Sequence, residues 1–164
     1  MDQEEVKYLK ENFPVDFFNI HATGQHINRV VYGEYKKDIF VENLGDKLPA
    51  SALGGYGGLC FDVSHMEEQR LSDKQEEYNQ MRKILETCKC GVAHISAVNQ
   101  EKFWHEKIQR YCFSSHTYSK LEEFDYLCRY NKYLPDILAL ELENTIEEQL
   151  KAKEYIEKLL AGKN

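Results

Sequence analysis

Apolar positions in this chain first recur at helical spacing and then at strand spacing. Val6, Leu9 and Phe13 lie on one side of a run that Asp2 can cap and Pro14 must end, which predicts a helix over 4–12. Phe17, Phe18 and Ile20 then lead an extended stretch up to Gly24, and 27–35 alternates β-branched with polar residues, so two strands are expected. Strands are also expected over 38–42 and 58–63. Between them lie Pro49 and the cluster Gly54, Gly55, Gly57 and Gly58, which reads as a mobile loop carrying Tyr56 as a ring able to close over a ligand.

Further along, Ser72 is placed to cap a helix to about Cys88, with Tyr78, Met81, Ile84 and Leu85 on its inner face. A short apolar strand over 92–98 carries His94, and Asn99 then opens a helix through Phe103, Ile108 and Tyr111. Ile137 to Leu142 alternates apolar and acidic residues, which leaves a strand open there. Asn144 followed by Glu147 has the form of a capping box for a last helix to about Leu160. The order of elements predicts one α+β domain over 1–164, built as two lobes that each begin with a histidine-bearing strand.

Charge narrows the partners. The net charge of −7 and the absence of a broad cationic stripe argue against a long nucleic acid, while a small nucleotide in a locally positive pocket stays compatible. Gly54 to Gly58 lacks the spacing of a dinucleotide or P-loop fingerprint. The N-terminus opens on acids and no run reaches the length of a membrane span, so a soluble, cytoplasmic protein is expected. The five cysteines form no paired metal array and read as free thiols; Cys60 lacks the helix N-terminus that a papain-like nucleophile needs.

Two triplets carry the candidate chemistry: His21-Ala22-Thr23 and His94-Ile95-Ser96. Alternate residues of a strand share a face, so each triplet presents an imidazole and a hydroxyl together. Facing each other across a cleft, one imidazole takes a proton from the attacking oxygen and the other gives one to the leaving oxygen, while Thr23 and Ser96 hold phosphate oxygens. That scheme requires no metal and no cofactor.

With these triplets the chain resembles the two-histidine phosphoesterase superfamily, the LigT-like fold, over most of its length from Val15 onward. The resemblance implies two pseudo-symmetric lobes of antiparallel sheet with outer helices around a central cleft. It also implies a phosphodiesterase that cleaves a small cyclic or 2′–5′ linked oligonucleotide messenger. Viral and phage members act on immune messengers in the host cytosol. Departures from the family pattern are Gly24 after Thr23 and Ala97 after Ser96.

Trp104 is a candidate for stacking on a base. His26, His65, His105 and His116 lack a hydroxyl partner and read as structural or surface residues, and Glu122-Glu123 and Glu147-Glu148 as solvated helix faces. Two other classes fit the same composition: an acidic, tyrosine-rich adaptor or inhibitor for a basic partner, and a sponge that binds a nucleotide without cleaving it.

Overall fold

The computed structural model of the chain describes residues 2–21, 32–43, 48 and 53–162. Its strands are β1 (Phe18–His21), β2 (Ile39–Glu42), β3 (Gly58–Asp62), β4 (Cys90–Ile95), β5 (Ala97–His105), β6 (Arg110–Ser115) and β7 (Leu138–Leu140). The α-helices are α1 (Gln3–Asn12), α2 (Val63–Leu71), α3 (Gln75–Thr87) and α4 (Ile146–Ala161), joined by 3-10 segments at Gly33–Asp38, Leu121–Arg129 and Asn131–Tyr133.

Mixed helix and sheet is as expected, but the sheet is not. β1, β2, β3, β4 and β7 are hydrogen-bonded in that order and every pair is parallel. The reason lies in the connections: α2 and α3 separate β3 from β4, and a parallel neighbour requires such a crossover in place of a tight turn. Two lobes of antiparallel sheet are therefore absent among the described residues. Among the described residues the one antiparallel pair is the separate hairpin β5–β6.

Strand alternation gives the parallel sheet two unlike faces. Ile20, Ile39, Val41, Leu59, Phe61, Ala93 and Ile95 are all buried and share one core with Met66, Met81, Ile84, Phe124 and Ile156 from the helical segments. The intervening positions carry Asn19 and His21 on β1, Phe40 and Glu42 on β2, and Cys60 and Asp62 on β3. That second face is polar at the C-terminal ends of its strands.

Residues 53–57 form the expected loop, and two glycines at the sheet make room for neighbours. Gly58 lies inside β3 at φ +140°, where an added Cβ would stand 2.5 Å from the Lys89 carbonyl oxygen. Gly91 is the extra residue of a register slip, since Leu59 pairs with Cys90 and Cys60 with Val92; a Cβ there would run into the Phe40 ring. Tyr56 is half-buried, edge-on to Tyr32 at 6.3 Å and with Lys36 Nζ 4.5 Å from its centroid, so its ring is held in place.

Residues 99–111 form a hairpin, not a helix. Val98 and Phe113 are buried while Ile108 and Tyr111 are exposed, so the helical spacing of Phe103, Ile108 and Tyr111 does not mark a buried stripe. Trp104 pairs across the strands with Tyr111, ring centroids 5.2 Å apart, and Gln109 takes φ 51° in the turn. Ser72 ends α2 by donating to the Glu68 carbonyl at 2.6 Å, and α3 begins later, at Gln75. The last capping box is Thr145 with Glu148, one residue beyond the expected pair, because Asn144 is engaged with the backbone of Tyr118. Of the expected strand at 27–35, residues 27–31 lie outside the described residues and Gly33–Asp38 is a 3-10 turn. No described helix is long and apolar enough to cross a membrane.

Gly91→Ala should lower stability by about 1–3 kcal/mol through overpacking against Phe40. Urea unfolding measures the loss, and pairing it with Phe40→Leu should recover part of it; strictly additive losses would show that the two sites do not touch.

Candidate metal centre

Each central strand of the parallel sheet ends on a group able to bind a cation. Glu42 is the last residue of β2, Asp62 the last of β3, His94 the penultimate residue of β4, and Glu141 follows β7 directly. The apolar residues before each of them lock the strand into the core, so the polar ends converge without a loop to position them. Glu42, Asp62, His94 and Glu141 each offer one donor atom within 4.8 Å of the others, and Glu42, Cys60 and His94 form a second such group. Glu42, Cys60, Asp62 and His94 are buried and Glu141 half-buried.

Local hydrogen bonds hold the donors in position. Asp62 Oδ1 caps α2, accepting from the His65 backbone N–H at 2.9 Å and the Ser64 hydroxyl at 2.6 Å. Asn43 clips the ends of β2 and β3 together, donating to the Asp62 carbonyl at 2.9 Å and accepting the Asp62 N–H at 2.8 Å. Asn19 donates to Glu42 Oε2 at 2.6 Å. Ser96 donates to the Glu141 carbonyl at 3.3 Å, and Tyr126 donates to the Ser96 carbonyl at 2.8 Å.

Two buried atoms in this cluster have no hydrogen-bond partner: Asp62 Oδ2 and His94 Nδ1. His94 Nδ1 lies 2.9 Å from Glu141 Oε1 and 3.5 Å from Glu42 Oε2, yet neither carboxylate is aligned to receive a ring N–H. The imidazole and the carboxylates thus stand at ion-pair distance, and the same spacing would let them share a cation.

Electrostatics lead to the same place. Burial pulls the His94 imidazolium toward neutrality, but Cys60, Glu141 and Glu42 outweigh it and hold the group at about 12. Burial raises Glu42, yet His94 and His21 bring it below the usual carboxylate range; the His94 contact likewise lowers Glu141. Burial pushes Asp62 up. Three carboxylates gather where water is scarce, with His94 among them and His21, His65 and His116 each beside one of them, and their negative charge needs a counter-charge from these imidazoles or from a cation. A divalent cation would supply that charge and give both partnerless atoms a bond, and carboxylate with imidazole is a donor set that suits Mn²⁺, Zn²⁺ or Fe²⁺.

Of the residues that the sequence singles out, His21 and His94 meet at one carboxylate. His21 Nε2 is 3.7 Å from Glu42 Oε1 and His94 approaches the other oxygen, but His21 is exposed and His94 buried. Ser96 is buried with its hydroxyl engaged by the backbone of Glu141, so it positions that residue instead of facing a cleft. Thr23 lies outside the described residues. Two histidines read as structural stand at the border of the cluster: His65 Nε2 is 3.5 Å from Asp62 Oδ2, and His116 Nε2 is 4.0 Å from Glu141 Oε2. Both also line a cleft of about 490 Å³ beside the β5–β6 hairpin, together with Trp104, Lys107, Arg110 and Ser115.

The sequence reading passed over Glu42, Asp62 and Glu141. Their available signal was an acid closing an apolar strand, in IFVE, LCFD and LALE. No protein-family model, curated protein or solved structure matches the chain.

His94 sets an alkaline limit. Its folded-state pKa is raised, so in EDTA-treated protein its contribution to stability is complete below about 6.5 and is lost as pH climbs toward about 12. Thermal melting across that window should fall in the unaltered protein and fall less steeply in His94→Gln; identical slopes would remove His94 as the titrating group.

Proposed function

We propose that the chain is a divalent-metal-dependent enzyme acting on a small, oxygen-rich substrate such as a polyhydroxylated or phosphorylated compound. The observation that carries this reading is the pair of buried atoms without a hydrogen bond, Asp62 Oδ2 and His94 Nδ1, within a cluster where Glu42, Asp62, His94 and Glu141 each place a donor atom within 4.8 Å of the others. Supporting it is the setting: parallel strands carry their polar residues at the C-terminal ends, the edge at which open parallel sheets bind their ligands.

In this reading Glu42, Asp62, His94 and Glu141 hold the cation, which when bound acts as a Lewis acid on a substrate oxygen. The N-terminus of α2 fixes the Asp62 carboxylate, and Ser96 holds the Glu141 backbone in place. His65 and His116 stand between the cluster and the cleft, within reach of proton transfer to a substrate lying there. Lys107, bound to Glu143, and Arg110 line the cleft with Trp104, whose flat apolar face suits a ring or chain of hydroxyls.

Phosphodiester cleavage of a small nucleotide messenger is the second reading, and the meeting of His21 and His94 at Glu42 favours it. On this arrangement His21 is the exposed proton carrier, and buried His94 belongs with the cation ligands.

The deciding experiment incubates EDTA-treated protein with and without Mn²⁺, Co²⁺, Zn²⁺ or Mg²⁺. The panel holds aldoses, ketoses, their phosphates, and cyclic and 2′–5′ linked oligonucleotides. Turnover restored by one of these ions and lost in Glu141→Gln supports the metal reading, and the product names the substrate class. Full turnover in EDTA would return the chemistry to the histidine pair alone. His116→Ala should lower kcat/KM by about 10²–10⁴ with cation affinity kept, as expected for a proton carrier; a loss of affinity alone would place it among the ligands.

A further inference from the structure

Cys60 lies two residues before Asp62 on β3, so it sits deeper along the same face by about 6.6 Å at roughly 3.3 Å per residue. Its thiol is fully buried, and its sulfur lies within 4.8 Å of donor atoms of both Glu42 and His94. A buried thiol has no need of two ionisable neighbours; the usual surroundings of a structural cysteine are apolar. Here one neighbour is His94, whose Nδ1 is itself buried and without a hydrogen-bond partner. Glu42 and His94 thus belong to two donor sets. An outer set adds Asp62 and Glu141, all oxygen beyond the imidazole, and an inner set adds the sulfur of Cys60.

We infer that Glu42, Cys60 and His94 form an inner position for a thiophilic divalent cation such as Zn²⁺, Co²⁺ or Cd²⁺, with Cys60 bound as the thiolate. The inference rests on the metal reading above and adds to it the chemical class of the ion. Sulfur and imidazole select borderline and soft ions, whereas Mg²⁺ and Ca²⁺ take oxygen. Coordination forms a metal–sulfur and a metal–nitrogen bond and breaks the S–H bond of Cys60 and a ring N–H bond of the His94 imidazolium, and both protons leave to solvent, so binding tightens as pH rises. Because Glu42 and His94 are shared, an ion seated on Cys60 draws them away from Asp62 and Glu141. Thiophilic ions should therefore displace Mg²⁺ and not be displaced by it.

The test titrates the EDTA-treated full chain with Co²⁺ and reads two spectral regions: visible d–d bands report binding, and a near-ultraviolet sulfur-to-cobalt charge-transfer band reports the thiolate. Both are expected to saturate together, with the charge-transfer band lost in Cys60→Ser and kept in Cys90→Ser, whose thiol is the neighbouring alternative. Visible bands without charge transfer, or charge transfer that survives Cys60→Ser, would overturn the inner position and leave the outer set standing. Absence of any Co²⁺ binding would overturn both. Should Cys60→Ser fail to fold, cadmium NMR of the unaltered protein decides the matter, because a sulfur donor shifts the resonance strongly downfield and oxygen and nitrogen alone do not.

Discussion

Buried negative charge is the constraint on which this structure turns. Glu42, Asp62 and Glu141 reach one region through the ends of separate strands, with His94 buried among them and His21, His65 and His116 each beside one carboxylate. Taking even one carboxylate out of water costs several kcal/mol unless it is neutralised or paired. Hydrogen bonds absorb part of that cost: Asn19 serves Glu42, and the start of α2 serves one oxygen of Asp62. Protonation and ion pairing absorb more, with Asp62 pushed up and His94 held charged. What they leave over is confined to the atoms that face one another.

The sheet tolerates such a cluster because its two faces divide the work. One face is continuous aliphatic and aromatic core, and it holds the strands rigidly enough that their other face can be given to chemistry. At the N-terminal end of that second face the Phe40 ring lies against Gly91, while the polar groups gather at the opposite end. Loops and the β5–β6 hairpin then shape the approach without carrying the ligand-bearing groups.

Much of the scaffold was legible in the sequence, and the reasons are local. The first helix, with its Asp2 cap, and the strands ending at Glu42, Asp62 and Ile95 each satisfy a rule that needs no knowledge of distant residues. Sheet direction was not legible, because parallel and antiparallel partners differ in the length of the crossover and not in the pattern of the strand itself. Residues 99–111 were misread because Phe103, Ile108 and Tyr111 satisfy a helical spacing that packing never uses. His21 and His94 were found because a repeated triplet drew attention to them, and they do share Glu42. The acids were missed for a different reason: a carboxylate ending a strand looks like any solvated strand end until the neighbouring strands bring two more beside it.

Asp62 has a consequence of its own. One of its oxygens is committed to the first turn of α2 while the other faces the cluster, so a single side chain spans a helix start and a charged cavity. That helix also carries Glu67, bound by Arg70 at 2.7 Å and by the Tyr130 hydroxyl at 2.7 Å. Asp62 and Glu67 thus tie the start and the middle of α2 to two different regions, the strand ends and the 3-10 segments around Tyr130, so the helix cannot shift without loosening one of them.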